Sequence, residues 1–184
     1  LPNGNVLVGG GTNSFNDFPV TPGSYQTNPG GGRVDGFVSI ISADGQSVLK
    51  SSFVGTSNYD QVYFIDFDRF SGVYALGQSI GGNMPLKNTQ IADTSAGQFI
   101  LKFDPNLDSL EYATTFGDGG SGGQINFTPT AFLVDQCQNV YVSGWGGTLS
   151  GGVMRLTNNM PITSDAYRST TTDLDFYLYV MSRN

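Results

Sequence analysis

Asn139–Gly146 reads NVYVSGWG, an alternating apolar run, then small residues, then a tryptophan between glycines. The same cadence occurs as NVLVGGGT at Asn5–Thr12 and as GVYALGQS at Gly72–Ser79. Val6, Val73 and Val140 stand 67 residues apart each time (6 to 73, 73 to 140), so the run marks a unit that the chain repeats.

The copies align beyond the cadence. FPVTPGSYQT (Phe18–Thr27), MPLKNTQIAD (Met84–Asp93) and MPITSDAYRS (Met160–Ser169) follow it in turn. Next come DGFVSIISADGQSVLKSSFVG (Asp35–Gly55), GQFILKFDPNLDSLEYATTFG (Gly97–Gly117) and the shorter LDFYLYVMSRN (Leu174–Asn184). Ahead of the second and third cadences stand DQVYFIDFDRFSG (Asp60–Gly72) and TPTAFLVDQCQN (Thr128–Asn139). Apolar residues at every second position in NVYVSG and FVSIIS predict strands with one face against a neighbouring sheet. ADGQ (Ala43–Gln46) and DPNLD (Asp104–Asp108) are hairpin turns at matching places.

Each unit is thus four short antiparallel strands, and such units in tandem predict an all-β protein made of β-propeller blades. The repeats divide the chain at about 1–55 (partial), 56–121 and 122–184 (partial), with three, four and three strands. That is one partial propeller of about two and a half blades, too few to close a ring. Val6, Val8, Val73, Ala75, Val140 and Val142 are expected to be equivalent and packed inward, since a lone blade cannot bury both its faces.

Composition limits the chemistry. The 184 residues include 26 glycines, 13 phenylalanines and 9 tyrosines, with three lysines, five arginines and a net charge of −7. That charge argues against nucleic acid and against an anionic membrane surface. No run approaches the roughly 20 apolar residues of a membrane span, and no signal segment opens the chain, which reads as starting mid-protein. With no histidine, Ser-His-Asp triads, Cys-His pairs and His-bearing metal sites are excluded within the chain. Cys137, the single cysteine, is expected to be a small buried hydrophobe in or beside a strand.

Glu111 is the only glutamate beside fourteen aspartates. The pairs Asp66/Asp68 and Asp173/Asp175, spaced i, i+2, each fall on one face of a strand, and the expectation is solvated strand ends rather than catalysis. Asp66 and Asp68 in DFDRFSG are also the candidate calcium ligands, weighed against an ordinary hairpin with exposed aspartates. SADGQSV at Ser42–Val48 lacks the tryptophan of a sialidase box. The runs at Gly9–Gly11, Gly119–Gly123 and Gly144–Gly147 precede no helical pattern, so they are turns and bulges rather than phosphate loops. Trp145 is expected to pack at a joint; exposed, it would be the leading candidate for sugar stacking or a partner contact. Tyr25, Tyr59 and Tyr167 lie in connectors and join it as candidate ligand- or partner-binding residues.

NVYVSGWGG, FPVTPGSYQT with its glycine-rich sequel and DGFVSII, and VLKSSFVG followed by YDQVYFIDFD resemble the SBBP β-propeller repeat of large secreted bacterial proteins. VDQCQNVYVSGWGG with PITSDAYRSTTTDLDFYLYVMSRN looks especially like propeller segments of Bacteroidetes surface proteins, which often carry a gliding-motility-associated sorting domain. The connectors GTSNYD (Gly55–Asp60) and GDGGSGGQINF (Gly117–Phe127) depart from the acidic connector usual in that family. The resemblance implies export by the type IX route to the cell surface, on or outside the outer membrane. It points to a non-enzymatic structural or adhesive module, partnered by the rest of its polypeptide or by neighbouring subunits. A lectin-like propeller binding surface glycans at its rim is the alternative.

Overall fold

The computed structural model describes residues 1–81, 83–89, 91, 93–118, 125–148, 154–172 and 174–182. The fold is all-β, and no helix occurs among the described residues. β1 (Val6–Thr12), β2 (Asp35–Ile41) and β3 (Val48–Val54) form a first sheet in that order. β4 (Asp60–Phe67), β5 (Val73–Ser79), β6 (Gln98–Phe103) and β7 (Leu110–Phe116) form a second. β8 (Thr128–Val134) and β9 (Val140–Trp145) pair in a third, which β12 (Phe176–Met181) completes beyond β9. A ribbon of β10 (Gly147–Thr148) and β11 (Met154–Arg155), absent from the sequence expectation, interrupts the last connection. Every pairing is antiparallel.

The repeat holds at the level of register. Val6 faces Ile41, Val73 faces Phe103 and Val140 faces Met181. Even the irregularities recur: bulges fall at Val62/Phe64 and Pro129/Ala131 where β4 meets β5 and β8 meets β9, and at Ile40/Ile41 and Lys102/Phe103 where β2 meets β3 and β6 meets β7. Beside the first kind of bulge the preceding strand crowds the cadence. A Cβ at Gly77 would run into the Phe99 ring and the Gln61 carbonyl, and one at Gly144 into the Phe127 ring and the Thr128 carbonyl. The glycine in the second and third cadences is therefore a demand of close backbone approach.

The sheets stack through their faces. Val38, Ile40 and Val54 of the first sheet share a core with Val62, Val73, Ala75, Phe99, Leu101 and Phe103 of the second. On its other face the second sheet sets Tyr74, Leu76, Ile100 and Phe116 against Val140, Val142, Tyr177 and Tyr179 of the third. Fully burying one such Leu, Ile or Phe side chain stabilises by about 1.5–3 kcal/mol, so the two seams supply most of the cohesion. Each connector adds a residue that precedes proline: Met84 enters the first seam and Met160 the second. Phe18, at the corresponding place, packs on Phe37 and Phe53 with ring centroids 4.8 and 5.2 Å away.

Two expectations are corrected. Val73, Ala75, Val140 and Val142 are completely buried, but Val6 and Val8 are 50% and 37% exposed. Their face is the one that in the other sheets receives the preceding sheet, and no sheet covers it among the described residues. Cys137 is exposed rather than buried. It sits in the β8–β9 turn, its N–H held by Asp135 Oδ1 at 2.8 Å, where the chain faces outward between strands.

Candidate functional site

The most concentrated polar cluster lies at the second seam, and a repeated turn builds it. In Asp68–Gly72 and again in Asp135–Asn139, the aspartate N–H bonds the carbonyl four residues on, and a positive-φ residue, Ser71 or Gln138, closes the turn. The aspartate side chain fastens it from within: Asp68 Oδ1 accepts the N–H groups of Phe70 and Gly72, both at 2.9 Å. Asp68 Oδ2 accepts the Gln138 amide from the next unit, the Tyr74 hydroxyl at 3.3 Å and the Lys102 ammonium at 3.2 Å. Lys102 also pairs with Glu111 at 2.8 Å and lies 5.3 Å from the Tyr74 ring centroid.

Burial pushes the Asp68 carboxyl up, but the donors around it outweigh burial and hold it below the usual range. Burial likewise depresses Lys102, while Glu111 and Asp68 more than restore it. Tyr74 is pushed up to about 12, chiefly by burial. Each group is thus locked in its ordinary charge state at neutral pH, which suits joinery better than proton transfer.

Asp66 reaches across the same seam, with Oδ2 accepting the Val134 N–H at 2.8 Å. Asp66 and Asp68 do share a face, yet Asp68 is buried rather than a solvated hairpin acid, because a unit 70 residues away closes over it. Their oxygens are engaged by protein donors, and no group of three or more His, Cys, Asp or Glu residues gathers to hold a metal among the described residues. Asp173 and the Gly119–Gly123 run lie outside the described residues. Beside the cluster a cleft of about 500 Å³ opens, lined by Lys102, Glu111, Gln138, Tyr112, Asn88 and Ile91 among others.

The four aromatic candidates lie on separate elements. Tyr25 is half-buried in the first seam, its ring edge-on to Phe103 at 5.6 Å and its N–H bonded to the Leu107 carbonyl at 2.8 Å. The Tyr59 hydroxyl meets Gln61 and, at 3.3 Å, Tyr63. Tyr167 is fully exposed, and Trp145 is 42% exposed rather than packed at a joint. Counted from the prolines at 19, 85 and 161, Tyr25 and Tyr167 are the same position of the connector. The first leans onto the following sheet; the second has no sheet to lean on among the described residues.

Trp145 belongs to a larger feature that the sequence reading passed over. Leu133, Phe176, Leu178 and Val180 share its face of the third sheet, and all are exposed. The signal was present: in FYLYVM both alternating sets are apolar, the mark of a strand covered on both sides. No protein-family model matches the chain, and no curated protein matches it.

Proposed function

We propose that this chain is a run of β-propeller blades within a bacterial cell-surface protein, where it acts as a non-enzymatic structural or adhesive module whose outer faces receive further blades. One observation carries the reading. Val38, Ile100 and Leu178 occupy a single register position in the three sheets; the first two are completely buried by the sheet that follows, whereas Leu178 is 62% exposed. An apolar face of this extent, in register with two faces that each take a neighbouring sheet, is complementary to a third such sheet. Antiparallel sheets of three, four and three strands stacking face to face in tandem support the propeller, and the SBBP-like motifs support export and the surface setting. The charge-locked cluster at Asp68 supports a scaffold rather than an enzyme. Trp145 stands among apolar neighbours, which favours sheet contact over glycan stacking.

The test is the association state of the chain by itself. Light scattering over a concentration series is expected to show oligomers, and Leu178→Asp is expected to disperse them. A wild-type chain that stays monomeric at every concentration and melts cooperatively would overturn the reading.

A further inference from the structure

The first seam holds a second acidic pair, Asp35 at the start of β2 and Asp60 at the start of β4, and both residues are completely buried. The chain brings them together through the Asp60 N–H, which bonds the Val34 carbonyl at 2.9 Å. Each carboxylate uses one oxygen on its own loop. Asp35 Oδ2 accepts the N–H groups of Gly30 and Gly31 at 2.6 and 3.4 Å. Asp60 Oδ2 accepts the N–H and hydroxyl of Thr56 at 2.5 and 2.9 Å.

The other oxygen of each, Oδ1, is buried without a hydrogen-bond partner. The hydroxyl of Ser79, which stands opposite Asp60 in the β4–β5 ladder, is likewise buried and makes no hydrogen bond of good geometry, although it lies close enough to Asp60 to draw that carboxyl's pKa down. No cation answers the two acids: the ion pairs among the described residues are Lys50–Asp108, Lys102–Asp68, Lys102–Glu111 and Arg168–Asp175. Two buried carboxylates with three orphaned oxygens around them are too costly to stand bare.

The fold does not require them. One repeat later, the place of Asp60 is taken by Phe127, that of Asp35's successor Gly36 by Gln98, with Gly97 in the place of Asp35 itself, and that of Ser79 by Gly146. The second seam therefore closes the same corner without a carboxylate pair, using the buried Phe127 ring. Burial pushes the Asp35 carboxyl up against the pull of the Gly30 and Gly31 amides, and the neighbouring charge of Asp60 pushes it further. Asp60 is raised by burial too, despite Ser79 and Thr56.

We propose that Asp35, Asp60 and Ser79 form a site for one hard divalent cation of the calcium class, bound at the seam between the first two sheets. The open oxygens are of the hard, anionic and hydroxyl type that such a cation takes, and its charge neutralises the pair. The site is independent of the surface-module reading and of Asp66 and Asp68, whose oxygens are already engaged.

Calcium titrated into the chelator-treated chain, followed by calorimetry and by terbium luminescence, is expected to show one saturable equivalent per chain and a raised melting temperature. Asp35→Asn and Asp60→Asn are each expected to weaken binding at least tenfold, and Asp66→Asn to leave it unchanged. Circular dichroism checks that the variants fold, and Ser79→Ala, which keeps both acids, provides a milder second variant expected to weaken binding by a smaller factor. No saturable binding at 10 mM calcium overturns the proposal, as does binding that survives Asp35→Asn and Asp60→Asn or is lost in Asp66→Asn. A melting temperature that rises on acidification but ignores calcium overturns it in favour of a proton shared by the pair.

Discussion

Truncating one register position in each sheet separates seam from surface within a single experiment. Val38, Ile100 and Leu178 are equivalent by pairing, but only the first two are completely buried. Alanine removes three carbons from Ile100, roughly 2.4 kcal/mol of transfer free energy at about 0.8 kcal/mol for each. The cavity left between β6 and the third sheet raises the total to about 2–5 kcal/mol. Val38→Ala removes two carbons, roughly 1.6 kcal/mol before its own cavity is counted. Leu178→Ala also removes three, but with 62% of the residue already in water the same arithmetic leaves about 1 kcal/mol or less. Urea unfolding followed by circular dichroism, at a chain concentration that light scattering shows to be monomeric, measures all three. For a chain of this size Ile100→Ala is expected to lower the melting temperature by roughly 5–15 °C, at about 2–4 °C per kcal/mol. Equal losses for Leu178→Ala and Ile100→Ala would refute the stacking order, because they would mean that both faces of the third sheet are covered within the chain.

Other outcomes follow from single contacts. Asp68→Ala strips Lys102 of one carboxylate and leaves Gln138 without its acceptor, so a loss of about 3 kcal/mol is expected in denaturant unfolding. Because the Asp68 pKa is depressed in the fold, its contribution is present above the unfolded value near 4 and is lost as pH falls through the folded value. An acid titration of stability should accordingly be flatter in Asp68→Asn. Asp35 and Asp60 have the opposite sign: in metal-free buffer their raised pKa values make ionisation unfavourable to the fold, so stability should rise as pH falls toward 4, and less so in Asp35→Asn. Gly77→Ala and Gly144→Ala force a methyl against an aromatic ring and a backbone carbonyl, an overpacking expected to cost about 1–3 kcal/mol; Gly10→Ala, which meets only the Phe37 ring, should cost less. Cys137 should react with a thiol reagent in the folded chain at a rate close to that of the unfolded chain.

The repeat and its register were legible because they are written in short-range pattern. Val6, Val73 and Val140 mark the spacing, and alternation within each run fixes which residues share a face. Burial was legible only where the covering sheet lies within the chain. Val6 carries the same pattern as Val73, yet its exposure depends on whether a sheet precedes it. Asp68 reads locally as a turn acid, and the Gln138 and Lys102 that bury it come from another turn and another strand at long sequence distance. Cys137 was misjudged because the turn that exposes it is set by Asp135 two residues earlier, a stronger constraint than the apolar character of a thiol. The Asp35–Asp60 pair left no motif, since its members are 25 residues apart and meet only through the Val34 carbonyl.

Stacking by faces also sets how the chain resists force. Within each sheet the strands are joined by ladders of backbone hydrogen bonds, which resist a pull along the strands by breaking together. Across the seams the joins are of another kind, apolar side chains with isolated fasteners such as Tyr25 to Leu107 and Lys50 to Asp108 at the first, and Asp66 to Val134 at the second. A pull that separates the sheets meets these one after another. The chain is therefore stiff along its strands and compliant across its seams, so tension applied across it would part neighbouring sheets before it unravelled any of them.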